Sequence, residues 1–480
     1  MCGIALLYGD TAELNMPGLM SKLSHRGPDD QHCWLSPDGL LAIGFVRLAI
    51  NDESSAGRQP YSAGEMIAVF NGEIFNAHTL AKQYRLFVQS HCDTHVIAPL
   101  FALLGMHTIV ELDGFYSGIL YKKGTNTLYL LRDHIGKKPL FYGESDGNLF
   151  VVSELKALQN IEWFEQVPIG ISELNLLTAK LSQLASHKPR ENITTNLAVA
   201  MKRAVDKRLP KQQFGIFLSG GLDSSIIAAL ANQQRQDVIY FVLGNPESED
   251  VSIANILIKY LGLKNVQYVP LPAEEQLPEL ITKVVYSTES YNPSIISNGL
   301  ATYLLAQAAQ QQDLKVVLTG EGADELFAGY HESLSEQEWQ ATRSKLITDM
   351  HFTELRRLDS CTMAHSIEAR CPFLDRAVKQ VADSLEHHHF YHASTNKAIL
   401  RETFASILPP QISQRKKTSF DVGSGLRKLV VNYLTHSGET ESNELKKIWK
   451  QLFSYDENIP YFFSYPTFDL AIAQRGVMHK

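Results

Sequence analysis

Up to about residue 185, apolar residues come in short runs: IALLYG (4–9), LLAIGFVRLAI (40–50), MIAVF (66–70), YSGILYKK (116–123), TLYLLR (127–132) and LFVVS (149–153). The polar material between them, SPDG, NGE, KKGTN and ESDGN, is turn chemistry. Short runs punctuated this way predict hairpins and an antiparallel, sheet-rich region. Helical periodicity is scarce here apart from THVIAPLFALLG (94–105). After about residue 190 the pattern changes. The β-like runs FGIFL (214–218), VIYFVL (238–243) and KVVLTG (315–320) alternate with amphipathic stretches such as SSIIAALANQQRQ (224–236) and LATYLLAQAAQQQ (300–312). Strands alternating with helices predict an α/β domain with a mostly parallel sheet. HKPREN (187–192) reads as a linker, which divides the chain into domains 1–186 and 187–480. No internal repeat or low-complexity tract interrupts either.

Length supports the division, because 480 residues exceed what one hydrophobic core usually serves. The net charge, 44 − 52 = −8, argues against a nucleic-acid partner. No apolar stretch reads as long enough to cross a bilayer, and the start lacks the basic and apolar segments of a signal peptide. No membrane partner and a cytoplasmic location are therefore expected. Cys2, Cys33, Cys92, Cys361 and Cys371 form an odd set without CxxC spacing and read as reduced thiols. The oligomeric state stays open, a homodimer being one candidate.

In FGIFLSGGLDSSIIAAL a buried strand ends, the loop SGGLDSS (219–225) follows and a helix begins. Helix N-termini carry free N–H groups and a positive dipole end, so they hold phosphate. Gly220 and Gly221 allow close backbone approach, and Ser219, Ser224 and Ser225 add hydroxyls. A carboxylate such as Asp223 repels phosphate unless Mg²⁺ sits between them. The plainer reading is a glycine turn that caps a helix. LTGEGADELFAGY (318–330) repeats the arrangement and brings Glu321, Asp324 and Glu325 to the end of another predicted strand. The ends of parallel strands are the usual ligand edge of such sheets.

SGGLDSS, TGEGADELFAGY and SIEARCPFLD (366–375) resemble the PP-loop ATP pyrophosphatase domain of glutamine-dependent asparagine synthetases, from about residue 195 past residue 425. The resemblance implies that ATP is cleaved between its α- and β-phosphates to make an acyl-adenylate and pyrophosphate. It implies an ATP site of Leu218, Ser219, Gly220, Gly221, Asp223, Ser224, Leu243, Thr319 and Gly320. Asp223 and Asp324 would hold Mg²⁺, Glu321 would stand at the reacting centre, and Lys417 in RKKTSF (415–420) would neutralise charge between the phosphates. By themselves Arg415, Lys416 and Lys417 read as a solvated basic run.

At the start of the chain, Cys2 is either an apolar residue opening a strand or a nucleophile. If Met1 is removed, Cys2 carries a thiol and a free α-amino base on one residue. MCGI, SHRGPDD (24–30), FVRLAI (45–50) and FNGEIFN (70–76) together resemble the N-terminal-nucleophile glutaminase domain of class II amidotransferases. An αββα fold follows from that resemblance. So do site roles: Arg47 on the glutamine α-carboxylate, Asp93 with Glu73 on its α-amino group, and Asn71 with Gly72 as the oxyanion hole. Taken alone, FNGE reads as a hairpin turn and Arg47 as a surface cation.

Both resemblances together imply one cycle. L-glutamine is hydrolysed at Cys2, the second domain activates a carboxylate with ATP and Mg²⁺, and ammonia attacks the adenylate to give an amide. Ammonia would protonate in bulk water, so an apolar passage between the domains is expected. Aspartate is the first expectation for the acceptor. In ESYNPSIISNG (289–299), however, Asn292 stands where the family pattern has Asp, and Ser297 about where it has Arg. Amidation of another acid, or an adenylating ligase without glutaminase use, are the alternatives. EHHHFYH (386–392) reads as an exposed loop rather than a metal site, and Cys92 and Cys361 as packing residues.

Overall fold

In the computed structural model, residues 2–88, 90–187, 195–330, 333–392 and 395–454 are described. Most of the expected linker, 188–192, lies outside them. The chain divides into two compact units. The first is Met1–Arg190 with Met363–Ser366 and Phe453–Tyr455, and the second is the remainder.

Among its described residues, the first unit contains twelve strands: β1 (Cys2–Tyr8), β2 (Asp30–Leu35), β3 (Leu41–Arg47), β4 (Tyr61–Ala63), β5 (Met66–Ile74), β6 (Gly114–Lys122), β7 (Thr127–Arg132), β8 (Phe141–Ser145), β9 (Asn148–Val152), β10 (Ile161–Gln166), β11 (Gly170–Asn175) and β12 (Leu181–Ala185). They form two six-stranded sheets in the orders β10-β8-β9-β1-β3-β2 and β12-β11-β7-β6-β5-β4. Ile4, Leu6, Ile43 and Phe45 of one sheet meet Val69, Ile119, Leu128 and Leu130 of the other in a shared core. The period-2 alternation of side chains then turns Ala68, Phe70, Leu120 and Leu131 to the opposite face, against Leu80, Ile97 and Leu100. The last three lie on helices Ala77–Gln83 and Ile97–Leu104. Helix Ala12–Leu23 covers the other sheet through Met16 and Met20. The layering is helix, sheet, sheet, helix, as expected. Each fully buried Leu, Ile or Phe contributes about 1.5–3 kcal/mol.

Three sequence expectations change in this unit. NGE is not a turn, because Asn71, Gly72 and Glu73 lie inside β5 and pair with Ser117, Tyr116 and Phe115. Helix Ala12–Leu23 was not expected, since Pro17 interrupts its pattern. The 19-residue stretch Asp93–Glu111 is long and apolar enough by itself to cross a membrane, contrary to the reading above. It is broken into short turns and helices, with Gly105 at φ 56°, and half of it is buried.

Among its described residues, the second unit has a five-stranded sheet of β13 (Phe214–Phe217), β14 (Val238–Leu243), β15 (Val266–Val269), β16 (Val316–Leu318) and β17 (Glu368–Arg370), in the order β15-β14-β13-β16-β17, besides the two-stranded ribbon Tyr391–His392 with Thr395–Asn396. Every pairing within the five-stranded sheet is parallel. The fully apolar character of β13, β14 and β16 follows, because both faces of such a sheet are covered. The chain leaves β13 for helix Leu222–Asn232 and β16 for the short helix Ala323–Phe327, so both glycine loops open at one edge of the sheet.

Candidate functional site

The first cluster surrounds Cys2. The Cys2 backbone N–H donates to Asn71 Oδ1 at 2.9 Å. Asn71 is fully buried, and its Nδ2 has no partner among the described residues. A buried amide donor of this kind has the chemistry to receive a developing oxyanion. Gly72 (φ 148°) belongs to the same strand, where a Cβ would run into the Phe115 carbonyl oxygen. Only glycine fits there.

Arg47 pairs directly with Cys2 across β1 and β3, so both side chains leave the same face of the sheet. Its guanidinium donates to the carbonyl oxygens of Ser54 (2.9 Å) and Asp52. Arg47 is buried, not a surface cation. Glu73 leaves β5 on the same side as Asn71, two residues on. Asn51 Nδ2 donates to Asp93 Oδ1 at 2.9 Å and to Glu73 Oε1 at 3.5 Å, and Asp93 Oδ2 accepts the Ile74 N–H at 2.6 Å. Two carboxylates around one amide make a receptor for an ammonium group.

SHRGPDD supports this cluster from behind. Arg26 Nε donates to the Cys2 carbonyl at 3.0 Å, and its Nη1 pairs with Glu154 Oε1 at 2.6 Å. Glu154 also meets His25 Nε2 at 2.8 Å and Lys156 Nζ at 3.0 Å. Burial works against its charge, yet Lys156, His25 and Arg26 hold the carboxyl well below the usual range. Asp29 braces Arg47, taking the Ala49 N–H at 2.7 Å while its own N–H donates to the Arg47 carbonyl. Burial, with Asp93 adding to it, pushes the Cys92 thiol up to about 12, and burial pushes His95 down to about 4. His91 contributes its backbone N–H to Asp52 Oδ2 at 3.0 Å.

The second cluster lies at the loop edge of the parallel sheet. Leu218 and Leu243 are buried, and the Leu218 N–H donates to the Phe241 carbonyl. Ser219 and Ser224 close the loop on itself, their hydroxyls 3.1 Å apart, while Gly220 (φ 67°) lies against helix Glu249–Leu261, where a Cβ would come within 2.7 Å of Ala254 N. Ser225 is buried one residue on, and Gly221 caps the helix. Thr319 is tied to Arg370 through its N–H at 3.0 Å, and Gly320 abuts Asp223.

Asp223 and Asp324 meet at one buried cation that the sequence reading missed. Lys397 Nζ lies 2.8 and 2.6 Å from the two oxygens of Asp223 and is ion-paired with Asp324 Oδ1. Lys417 Nζ adds a contact of 2.6 Å to Asp324 Oδ2 and lies 4.0 Å from Asp223. Burial works against the charge on Asp324, but Lys397 and Lys417 hold it far below the usual carboxylate range. Lys417 is pushed up, Asp324 and Asp223 outweighing its burial. A shared ammonium is a stand-in for a cation, so the carboxylate pair fits a divalent ion. Among the described residues no third acidic, His or Cys ligand joins the pair. That suits Mg²⁺, which usually takes one or two carboxylates and fills its octahedron with phosphate oxygens and water.

The three acids of TGEGADELFAGY turn to separate partners. Glu321 pairs with Arg357 Nη2 at 2.6 Å, and Arg357 Nη1 donates to Thr302 Oγ1 at 2.8 Å. Glu325 is buried and accepts from Tyr330, and burial, with Glu354 and Asp324 nearby, pushes it up to about 8. Arg415 pairs with Glu249 at 2.9 Å and Asp250 at 2.7 Å, so neither it nor Lys417 belongs to a merely solvated run. SIEARCPFLD is structural. Arg370 bonds Glu368, and Asp375 receives Arg208 and Lys207.

In the 289–299 segment, Asn292 caps helix Pro293–Gln310, taking the N–H groups of Ser294 and Ile295 at 2.9 and 3.3 Å. The Ser297 hydroxyl donates to Asp421 Oδ2 at 2.7 Å in a buried contact. The histidine-rich stretch is not an exposed loop: His387–Phe390 forms a helical turn, Phe390 and Tyr391 are buried, and His387 Nε2 sits on the Leu334 carbonyl at 2.7 Å.

Two family models match: a glutamine amidotransferase domain over residues 1–211, and asparagine synthase over 196–348 and 333–451. A probable glutamine-hydrolyzing asparagine synthetase of Acanthamoeba polyphaga mimivirus is 29% identical over all of this chain and 94% of its own length. Asparagine synthetase B of Escherichia coli is 29% identical over 88% of this chain and 83% of its own. Asparagine synthetase 2 of Lotus japonicus is 30% identical over 88% of this chain and 78% of its own. With its amidotransferase and synthase portions joined in that order, the chain belongs to the family of glutamine-dependent asparagine synthetases.

Proposed function

We propose that the protein makes an amide from a carboxylic acid, with glutamine as nitrogen donor and ATP as activator, in the cytoplasm. The contact between the Cys2 nitrogen and Asn71 Oδ1 at 2.9 Å carries the reading. Once Met1 is removed, that nitrogen becomes the α-amine. The bond to Asn71 then orients its lone pair toward the thiol, whose proton it takes.

The thiolate attacks the glutamine side-chain amide. Arg47 takes the α-carboxylate, and Asp93 and Glu73 take the α-ammonium. Asn71 Nδ2 and Gly72 receive the oxyanion; the amine returns its proton to the leaving ammonia, and water then releases glutamate. Removing one such oxyanion donor typically costs about 10²–10³ in kcat.

In the second cluster, Ser219, Gly220, Gly221 and Ser224 cradle the ATP phosphates, with Leu218, Leu243, Thr319 and Gly320 around the nucleotide. Asp223 and Asp324 would hold Mg²⁺, which when bound would offset charge on the pyrophosphate leaving group. Lys417 neutralises the oxygen between the α- and β-phosphates as it takes up charge. Glu321, oriented by Arg357, lies at the carboxylate that becomes the adenylate. Ammonia displaces AMP from that adenylate.

Aspartate is the first acceptor. Another acid is the second reading, because Ser297 stands about where the family pattern has an arginine, and its hydroxyl is committed to Asp421. A screen of carboxylic acids for glutamine-dependent pyrophosphate release tests both readings, with glutamate release measured with and without acceptor. Turnover of aspartate alone supports the first reading. Glutamine hydrolysis by a chain that still carries Met1 would refute the role of the α-amine.

A further inference from the structure

Lys397 draws the two acids of the second cluster together more closely than Lys417 does. Its side chain is 2% exposed against 30% for Lys417, and it touches both carboxylates. Its backbone is clamped. Arg401 Nε donates to the Asn396 carbonyl at 2.8 Å and its Nη1 to the Ser413 carbonyl at 2.7 Å. Asn396 Nδ2 donates to the Gly329 carbonyl at 3.0 Å, in the loop that follows Asp324. The turn that presents Lys397 is therefore fixed, and the ammonium is the part free to change partners.

We infer that Lys397 is a resident counter-ion that keeps free divalent metal off Asp223 and Asp324 until nucleotide arrives, so that metal enters with ATP and not before it. The inference rests on the reading that these two carboxylates hold the metal. Without phosphates a divalent ion would find only two protein ligands among the described residues, and it would have to displace a buried ammonium hydrogen-bonded to both. A triphosphate changes this balance. It supplies oxygen ligands for the metal and an alternative anionic partner for Lys397, within reach of the same loop edge.

The test is Mn²⁺ binding to the full chain, followed by the paramagnetic resonance signal of free Mn²⁺, with and without α,β-methylene-ATP. The analogue cannot be cleaved between its α- and β-phosphates. In the native protein, the analogue should tighten Mn²⁺ binding at least about tenfold. Lys397→Met should tighten binding without nucleotide by about tenfold to a hundredfold, the scale of one or two charge-assisted hydrogen bonds. Lys417→Met should tighten it clearly less than Lys397→Met, because Lys417 hydrogen-bonds Asp324 and lies 4.0 Å from Asp223, while Lys397 still covers both acids. If circular dichroism shows the methionine variant unfolded, Lys397→Gln provides the same comparison. Equal Mn²⁺ affinity with and without the analogue in the native protein overturns the inference, as does unchanged nucleotide-free affinity in a folded Lys397 variant. Asp223→Asn and Asp324→Asn identify a deeper failure. If they bind Mn²⁺ and analogue as the native protein does, the metal lies elsewhere and the reading beneath the inference falls as well.

Discussion

Asn71→Asp separates the two jobs assigned to one side chain. Asp keeps an oxygen where Oδ1 accepts the Cys2 N–H at 2.9 Å, so the terminus stays anchored. It replaces Nδ2, a fully buried amide nitrogen without a partner among the described residues, by a second carboxylate oxygen. Losing that donor removes no hydrogen bond of the resting protein. A carboxylate at this fully buried position should lower stability by more than the roughly 1–3 kcal/mol of a neutral group left unsatisfied, so the variant is compared only where circular dichroism shows it folded. The transition state is also destabilised, since an oxyanion donor contributes about 10²–10³ in kcat and a negative oxygen in its place repels the developing charge. Glutamate release from glutamine should therefore fall at least about a hundredfold. Pyrophosphate release driven by added ammonium salt should stay within about twofold of native, because the second cluster is untouched. A folded variant that retains glutamine hydrolysis within about fivefold would refute the oxyanion role. A parallel loss of the ammonium-driven reaction would show a structural effect instead.

Glu154→Gln leaves His25, Arg26 and Lys156 facing a neutral amide, which should cost about 3–5 kcal/mol in urea unfolding at pH 7. The folded-state pKa of Glu154 is depressed, so its contribution is complete above the ordinary carboxylate range and is lost as pH falls through the lower folded value. The variant should thus show a flatter acid limb in stability against pH, and an unchanged limb would refute the network. Lys417→Met should lower pyrophosphate release about 10²–10³-fold and spare glutamine hydrolysis. Ser297→Ala removes the donor to buried Asp421 and should destabilise the chain by about 1–3 kcal/mol, a thermal shift that differential scanning fluorimetry resolves. Gly72→Ala forces a Cβ toward the Phe115 carbonyl at φ 148° and should separate β5 from β6, read as lost amide protection along residues 66–74.

The sequence pattern carried the strands better than the helices. Runs such as TLYLLR and VIYFVL match β7 and β14 residue for residue, because short apolar runs between turn residues have few other ways to bury themselves. Helix Ala12–Leu23 was hidden by Pro17 and Gly18, which interrupt a stripe of Ala12, Met16, Leu19, Met20 and Leu23 that is itself helically spaced. NGE misled for a related reason. Asn and Gly before an acid are turn chemistry in isolation, but in β5 the glycine serves close strand contact and the Asn and Glu face one side. Local propensity is silent on such long-range needs.

The site divides along the same line. The residues proposed to meet substrate lie in stretches with a chemical reason to be adjacent: a thiol next to the initiator methionine, glycines where a strand becomes a helix, a carboxylate beside hydroxyls. Those are readable one stretch at a time. The groups that hold them are single residues far away in the chain, such as Glu154 behind Cys2, Asn51 between Glu73 and Asp93, Arg357 on Glu321, and Lys397 on Asp223 at a separation of 174 residues. Nothing near Lys397 in TNKAIL marks it, because its partner is fixed by the meeting of two loops rather than by local spacing. A buried cation is nonetheless required there on electrostatic grounds. Two carboxylates drawn into one low-dielectric corner cannot both stay ionised without a compensating charge. Wherever a sequence brings two acids to the ends of neighbouring parallel strands, a lysine or arginine should be sought among the residues not yet given a role.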